Sequence, residues 1–419
     1  MLNKLKNIFY KSPKFIRVLI LKTIEFLALI YTILKVGKLN IKKQNKNSHN
    51  KKNILIYHIT ALSFGGTEKN LQLIAKYLNK DKYNVYILHA TDKENNRLDY
   101  LKNENVNIIN FSYSKVEKHW PYVIHDMNPT IDTVINDHNI DIIISATPGQ
   151  TIYPLIQIRN IPIILLNIFG SFNTQKNILK NICLSPDVKI KGSVVIDDDK
   201  LSIQYIPSER PIINKDKSRN IRERFNIKDN ELVFGRIGRS DNSIFDPIGL
   251  LAFEITVKKY LNIHYIIMSP APDAIKLVKE RNIPNIHWLD PSYKEEDVWA
   301  FHEAIDVLAH FRRDGESFGL NIAESMLVGN PILTHKSHIW NSHLEYLEDS
   351  FSKYSEQDDY IQYSNNMIYM IDLYNKGQLK EMGEKAKIKA ERLFLIENVI
   401  KNYEQIIEDS YDNYIHKNK

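Results

Sequence analysis

From residue 53 onward, short apolar runs of strand length alternate with segments of helical period, and this alternation restricts the fold more than any other feature. In the first half the strand-like runs are Asn53–Ile59, Asn84–Ala90, Asn105–Phe111, Asp141–Ala146 and Ile161–Phe169. Helical patterns fall at Thr67–Leu78 and Tyr122–Asp137. Residues 170–230 show no clean period, and a crossover between domains is expected near Ser193–Ile213. Alternation resumes with Glu231–Arg239, Asn262–Ser269, Asn285–Asp290, Ile305–His310 and Asn330–His335. The chain closes in helical patterns at Tyr360–Tyr374, Gln378–Leu393 and Glu397–Tyr414. Strands that alternate with helices imply parallel sheets and right-handed crossovers. The expected fold class is α/β, with two doubly wound, Rossmann-like domains facing across a cleft and an N-terminal helical arm.

A chain of 419 residues exceeds one ordinary domain. The expected divisions are an arm and linker at 1–52, a first domain at 53–205, a second at 206–394 and a last helix at 395–419. The net charge of +6 conceals an asymmetry. Residues 1–52 hold thirteen Lys and Arg and one acid, a balance of +12, while the rest holds 43 bases against 49 acids. The basic character belongs to the arm, so the body has no reason to bind nucleic acid. The single cysteine, Cys183, forms no intrachain disulfide, and a reducing, cytoplasmic compartment is expected.

Within the arm, Phe15–Val36 is apolar but interrupted by Arg17, Lys22, Glu25 and Lys35. Its longest uncharged run, Phe26–Leu34, is nine residues, against the ~20 that a spanning helix needs. No small-residue cleavage site follows, as a secretory signal would require. The reading preferred here is an interfacial helix, with residues 1–45 in peripheral contact with a membrane. A helix packed on the body or on another subunit is the alternative, and a single-pass anchor is a minor third option. The basic flanks decide the preference, because they serve lipid and do nothing for packing. Asn40–Lys52, rich in Asn and Lys, reads as a linker.

Ligands in doubly wound sheets bind beyond the carboxyl ends of strands, beside helix N-termini. Three turns fall at such places. In "SFGGTEKNLQLIA", Gly65 and Gly66 let backbone approach a ligand, or merely form a tight turn capped by Thr67. No GxGxxG occurs, which counts against a dinucleotide oxidoreductase. In "GRIGRSDNSIFDP", Arg239 stands at a strand end, where a forked cation suits a diphosphate, whereas Arg236 reads as a surface salt bridge. In "FRRDGESFGLNIAESMLVGNP", Glu316 and Glu324 flank a helix start. Backbone N–H groups there suit phosphate and carboxylates suit sugar hydroxyls. A capping acid and a solvated helix residue are the bland alternative. Asp197–Asp199 is read as a solvated turn, and no Asp-x-Asp stands at a strand end to hold a metal.

"ESFGLNIAE" with its continuation "SMLVGNPIL", "GGTEKNLQLIAKYL" and "VFGRIGR" together resemble the retaining glycosyltransferases of family 4, which have the GT-B fold. The resemblance covers Asn53 to Leu393 with the order of elements intact. It implies that Glu316 lies by the transferred sugar and that Glu324 binds the ribose of the nucleotide. It also implies that backbone N–H groups near Phe318, Gly319 and Leu320 meet sugar or phosphate. Leu289, in "HWLD", becomes a candidate nucleobase contact, and the last helix is expected to return to the first domain. Three positions depart from the family pattern. Ile244 stands where a Lys is usual, and Phe169 and Ser145 stand where histidines are common.

The function expected is transfer of a sugar, with retention, from a nucleotide-diphosphate donor to a glycan or lipid-linked acceptor. No permanent cofactor or metal is expected, and Glu316 and Arg239 are the candidate catalytic residues. The alternative is a catalytically degenerate nucleotide-sugar-binding or scaffold protein on the same fold, motivated by Ile244 and Phe169.

Overall fold

The apolar runs form two sheets, one in each of two units of the chain. The structure is a computed structural model that describes every residue except 1–8, 43–49, 59–61, 63–64, 92–96, 120–121, 148–150, 171–172, 293 and 418–419. One unit comprises Met1–Pro207 with Ile396–Lys419, and the other Ser208–Leu395.

The first unit opens with α1 (Lys14–Val36) and carries a nine-stranded sheet. Its strands are β1 (Lys52–His58), β2 (Tyr83–Ala90), β3 (Val106–His119), β4 (Tyr122–Asn128), β5 (Ile142–Thr147), β6 (Thr151–Tyr153), β7 (Ile163–Asn167), β8 (Ile178–Cys183) and β9 (Leu201–Ile203). They lie in the order β6-β4-β3-β2-β1-β5-β7-β8-β9. The central strands are buried on both faces, which is why Leu55, Ile56, Ile143, Ile144, Leu165 and Leu166 run without polar alternation. Each such side chain contributes about 1.5–3 kcal/mol on burial. Helices α2 (Gly66–Tyr77), α3 (Ile131–Asp137) and α4 (Pro186–Ser193) belong to this unit.

Two expectations are corrected here. The helix expected over Tyr122–Asp137 is a strand followed by a short helix, β4 and then α3. β4 pairs antiparallel with an extension of β3. Pro129, which has no N–H to give a helix, separates β4 from α3. Residues 170–230 are not patternless in space, since they contain β8, α4, β9 and α5 (Lys215–Arg224). The period of β8 is hidden because Asn181 is buried in it beside the part-exposed Lys180.

α1 lies on the first unit. Thr174 gives Glu25 two hydrogen bonds, one from its backbone N–H and one from its hydroxyl. Lys14 Nζ donates to the Ile196 carbonyl at 3.0 Å. Just after the helix, the Leu39 N–H donates to Gln157, the Asn40 N–H to Asp132 and the Lys42 N–H to Asn136, while residues 43–49 of the expected linker lie outside the described residues. Among the described residues no helix is long and apolar enough to cross a membrane.

The second unit carries a six-stranded parallel sheet of β10 (Leu232–Ile237), β11 (Ile263–Met268), β12 (Ile286–Leu289), β13 (Val307–Ala309), β15 (Ile332–His335) and β17 (Ser352–Ser355). Their order is β12-β11-β10-β13-β15-β17. A small pair, β14 (Gly315–Glu316) and β16 (Trp340–Asn341), stands apart from it. The helices are α5, α6 (Ile248–Val257), α7 (Pro272–Arg281), α8 (Glu295–Ala304), α9 (Leu320–Val328), α10 (Tyr360–Asn375) and α11 (Leu379–Phe394). Phe253 meets Tyr265 edge-on at 5.3 Å and Tyr265 meets Phe311 at 6.3 Å, so aromatic rings fill this core. The last helix, α12 (Ile396–Lys417), belongs to the first unit.

Candidate functional site

β13 ends at Ala309, and the next residues, His310 and Phe311, are still buried. The chain then turns through Arg312–Asp314 into β14. Gly315 has φ +70°, and a Cβ there would lie 1.8 Å from the Trp340 carbonyl oxygen. Only glycine permits β14 to approach β16 so closely. The turn delivers Glu316 with 14% of its side chain exposed.

Burial pushes the Glu316 carboxyl up, but the contact with His310 and the charge of Arg312 outweigh it and hold the group down at about 2. His310 Nε2 lies 3.2 Å from Glu316 Oε1. Arg312 Nη1 donates to the same oxygen at 3.5 Å, while its Nε and Nη2 fork onto Asp314 at 2.5 and 3.0 Å. His335 Nε2 accepts the Arg312 N–H at 3.1 Å, and His343 Nε2 meets the Thr334 hydroxyl at 3.3 Å. Burial depresses all three imidazoles, His343 to about 3, so they are neutral at pH 7. Glu316 is therefore an ionised carboxylate in a shell of neutral rings with one arginine beside it. It is an acceptor and a source of negative potential, and it holds no proton to donate.

β10 delivers the second group. Asn321 Nδ2, at the start of α9, donates to the Ile237 carbonyl at the end of β10 at 2.9 Å. Ser240 Oγ donates to the Pro270 carbonyl at 2.7 Å. The Gly238–Arg239 turn is thereby fixed between the α9 N-terminus and the end of β11. Arg239 is exposed, with its side chain open to a ligand. Arg236 corrects an expectation: it is 2% exposed and not at the surface. Its guanidinium lies 5.0 Å over the Phe311 ring, and its Nε has no hydrogen-bond partner. Ile244 is buried in a short turn where its carbonyl accepts the Arg313 N–H at 3.1 Å.

α9 begins after Gly319, whose φ is +91°. The Phe318 ring packs against Tyr346 and Phe394, at 5.9 and 5.4 Å, so its side chain serves the core. The Tyr346 hydroxyl donates to the Phe318 carbonyl at 2.6 Å and fixes that peptide. Leu320 is the first residue of the helix. The solvated reading of Glu324 is overturned: Glu324 is buried in the second turn of α9, 3.9 Å from His302 of α8. Asn330, within the Gly329-Asn330-Pro331 exit, donates to the His302 carbonyl at 2.6 Å, so the helix end also steadies the histidine that faces Glu324.

Leu289 ends β12 and lines a cavity of about 440 Å³ with Met268, Pro291, Lys217, Arg224 and Asp297. In the first unit, Gly65 is the N-cap of α2 and Gly66 its first residue. Thr67 is not the cap. The Glu68 carboxylate lies 2.0 Å from where a Gly65 Cβ would be, so a side chain there would displace the end of Glu68. Ser145 is buried in β5 and Phe169 is exposed after β7. Residues 63–64, 148–150 and 171–172, which belong to the motifs read around these positions, lie outside the described residues. Among the described residues no group of three His, Cys, Asp or Glu is arranged to hold a metal ion.

The second unit thus gathers Arg239, the α9 N-terminus and Glu316 through contacts within one sheet end. His310, Arg312, His335 and His343 are the residues that sequence reasoning missed; they come from three separate strand ends, with no shared local pattern to mark them. No protein-family model matches the chain, and no curated protein matches it in sequence. Solved structures do. A glycosyltransferase from Rickettsia africae superposes with a TM-score of 0.69 at 16% identity, over 87% of this chain and 100% of that one. The chain has the GT-B fold. HepE from Anabaena, solved with UDP and glucose, superposes with a TM-score of 0.63 at 14% identity, over 85% of this chain and 99% of that one. WaaG, a glycosyltransferase involved in lipopolysaccharide biosynthesis, gives 0.57 at 14% identity, over 85% and 99%. These structural neighbours are glycosyltransferases of the GT-B type.

Proposed function

We propose that this chain is a retaining glycosyltransferase of family 4 type, which moves a sugar from a nucleotide-diphosphate donor to a hydroxyl of a glycan or lipid-linked acceptor. The observation that carries the reading is the bond from Asn321 to the Ile237 carbonyl, which sets the Gly238–Arg239 turn beside the start of α9. One short arc then offers a fixed cation and a helix N-terminus to a diphosphate. In this reading Ser208–Leu395 holds the donor, the first unit meets the acceptor, and the backbone at Gly65 and Gly66 is donor-binding. The nucleobase enters the cavity beside Leu289 and the ribose meets Glu324. The diphosphate lies on Arg239 and the N–H groups around Phe318, Gly319 and Leu320.

The reaction breaks the bond between the sugar's anomeric carbon and the diphosphate oxygen. Negative charge grows on the departing oxygens, where Arg239 and the helix start stabilise it most. Positive charge grows on the sugar, where ionised Glu316 opposes it. The acceptor hydroxyl attacks the same face, and its proton passes to the leaving diphosphate. Arg239 and the helix supply the counter-charge for which other enzymes use a metal, so the reading makes the reaction metal-independent. It places the protein in the cytoplasm, bound peripherally at a membrane through residues 1–45.

Transfer and hydrolysis assays over a panel of nucleotide sugars test this, together with thermal shifts from the matching nucleoside diphosphates. Turnover of one donor supports it. Ile244, buried where the resemblance calls for Lys, favours a second reading as a non-catalytic nucleotide-sugar binder. Stabilisation by a diphosphate without turnover across broad acceptors selects that reading.

A further inference from the structure

α1 is docked with its amphipathicity reversed. The side chains buried against the first unit are Glu25, Ala28 and Thr32. Those facing outward are apolar: Phe15 is 71% exposed, Leu19 62%, Phe26 and Leu27 59% each, and Leu34 80%. At ~100° per residue, these and Ile30 fall within an arc of about 120°, opposite Glu25 and Thr32. A soluble surface helix has the opposite arrangement. Glu25 is the only acid in residues 1–52, and its carboxylate is taken up by Thr174. Among the cations, Lys22 is exposed at the border of the apolar arc, and Lys11 and Lys38 are exposed just beyond the two ends of the helix.

We propose that this outward face is a fixed seat on an anionic lipid surface, with α1 lying in the plane of the bilayer and its polar stripe latched to the first unit. The proposal deepens the reading of residues 1–45 as a membrane contact. It names the face, the lipid charge and the orientation, and it does not require the transferase reading. An apolar arc bordered by Lys22, with Lys11 and Lys38 at its two ends, matches acyl chains beneath anionic headgroups. A second copy of this chain is the poorer occupant, because it brings the lysines of two strongly basic arms together. Because Glu25 and Thr174 fix the roll of the helix, the lipid surface also fixes which side of the first unit faces it.

The test is sedimentation of the full chain with vesicles of phosphatidylcholine, with and without phosphatidylglycerol, alongside sedimentation-equilibrium mass in solution. The wild type is expected to be monomeric and to partition onto the anionic vesicles. Leu19→Glu with Ile30→Glu should lower that partition by roughly tenfold or more, with unchanged melting temperature. A second variant, Lys22→Glu with Lys38→Glu, leaves the apolar arc intact and should weaken binding to anionic vesicles while sparing the weak binding to neutral ones. Absence of wild-type binding overturns both the membrane contact and this seat. Wild-type binding that survives in both variants overturns the seat alone. A wild-type dimer that Leu19→Glu with Ile30→Glu splits, without vesicle binding, assigns the face to a second copy.

Discussion

His310 Nε2 stands 3.2 Å from Glu316 Oε1, and these two side chains set the protonation state of the turn before α9. The folded-state pKa of Glu316 is depressed from 4.5 to about 2. The unfolded chain therefore binds the proton first as pH falls, so the stability from this group is present above pH ~4.5 and is lost towards pH ~2. Replacing Glu316 by Gln should remove that contribution, roughly 3 kcal/mol at full size. Urea unfolding at a series of pH values measures it. An unchanged slope in Glu316→Gln below pH ~4.5 would show that other carboxylates carry the acid lability.

Arg239→Lys should lower the turnover rate by about 10²–10³ and change the donor KM less. The contact strengthens as charge moves onto the diphosphate, and an ammonium does not reproduce the fork. With Ile244 buried nearby, no lysine stands at that position to compensate. Steady-state kinetics decide, and near wild-type turnover would relocate the diphosphate.

Glu324→Gln should weaken nucleoside diphosphate binding by about 1 kcal/mol, the difference between a charge-assisted and a neutral hydrogen bond, since Gln keeps an acceptor oxygen. The substitution keeps the shape of a residue buried beside His302, so the fold should hold. Calorimetric titration checks the affinity. Equal affinity in the two proteins would remove the ribose role.

Gly315→Ala and Gly377→Ala separate two costs of a side chain at positive φ. The two glycines have φ of +70° and +71°, but a Cβ at 377 meets open space and one at 315 meets the Trp340 carbonyl. Gly377→Ala should cost about 1 kcal/mol, and Gly315→Ala roughly 2–4 kcal/mol. Denaturant midpoints compare them, and equal losses would mean that β16 yields without strain.

The central strands were legible because burial on both faces demands unbroken apolar runs, as in Ile54–Tyr57 and Ile163–Leu166. β4 was not, because its mixed sequence is stabilised by pairing with β3, a partner that local period does not reveal. β8 was hidden by Asn181, a buried polar residue within the strand. The turn with Glu316 stood out by its spacing, but its histidine shell did not. His310, His335 and His343 come from separate strand ends and share no local pattern. Arg236 misled for the opposite reason, since a charged residue within an apolar strand reads as exposed until the Phe311 ring is placed beneath it. The apolar content of α1 was plain in the sequence. Which side it turns outward depends on Thr174, 149 residues away.

The Ser208 N–H donates to the Phe394 carbonyl at 2.7 Å, and Ser208 bridges Leu395 in parallel. The entry and exit of the second unit are thus held side by side. In genetic terms residues 208–395 form a cassette: a few residues joining Pro207 to Ile396 would close the first unit, α12 included, over the excised segment. A segment exchanged at these two joints leaves every strand of the nine-stranded sheet in register, because all nine lie outside residues 208–395.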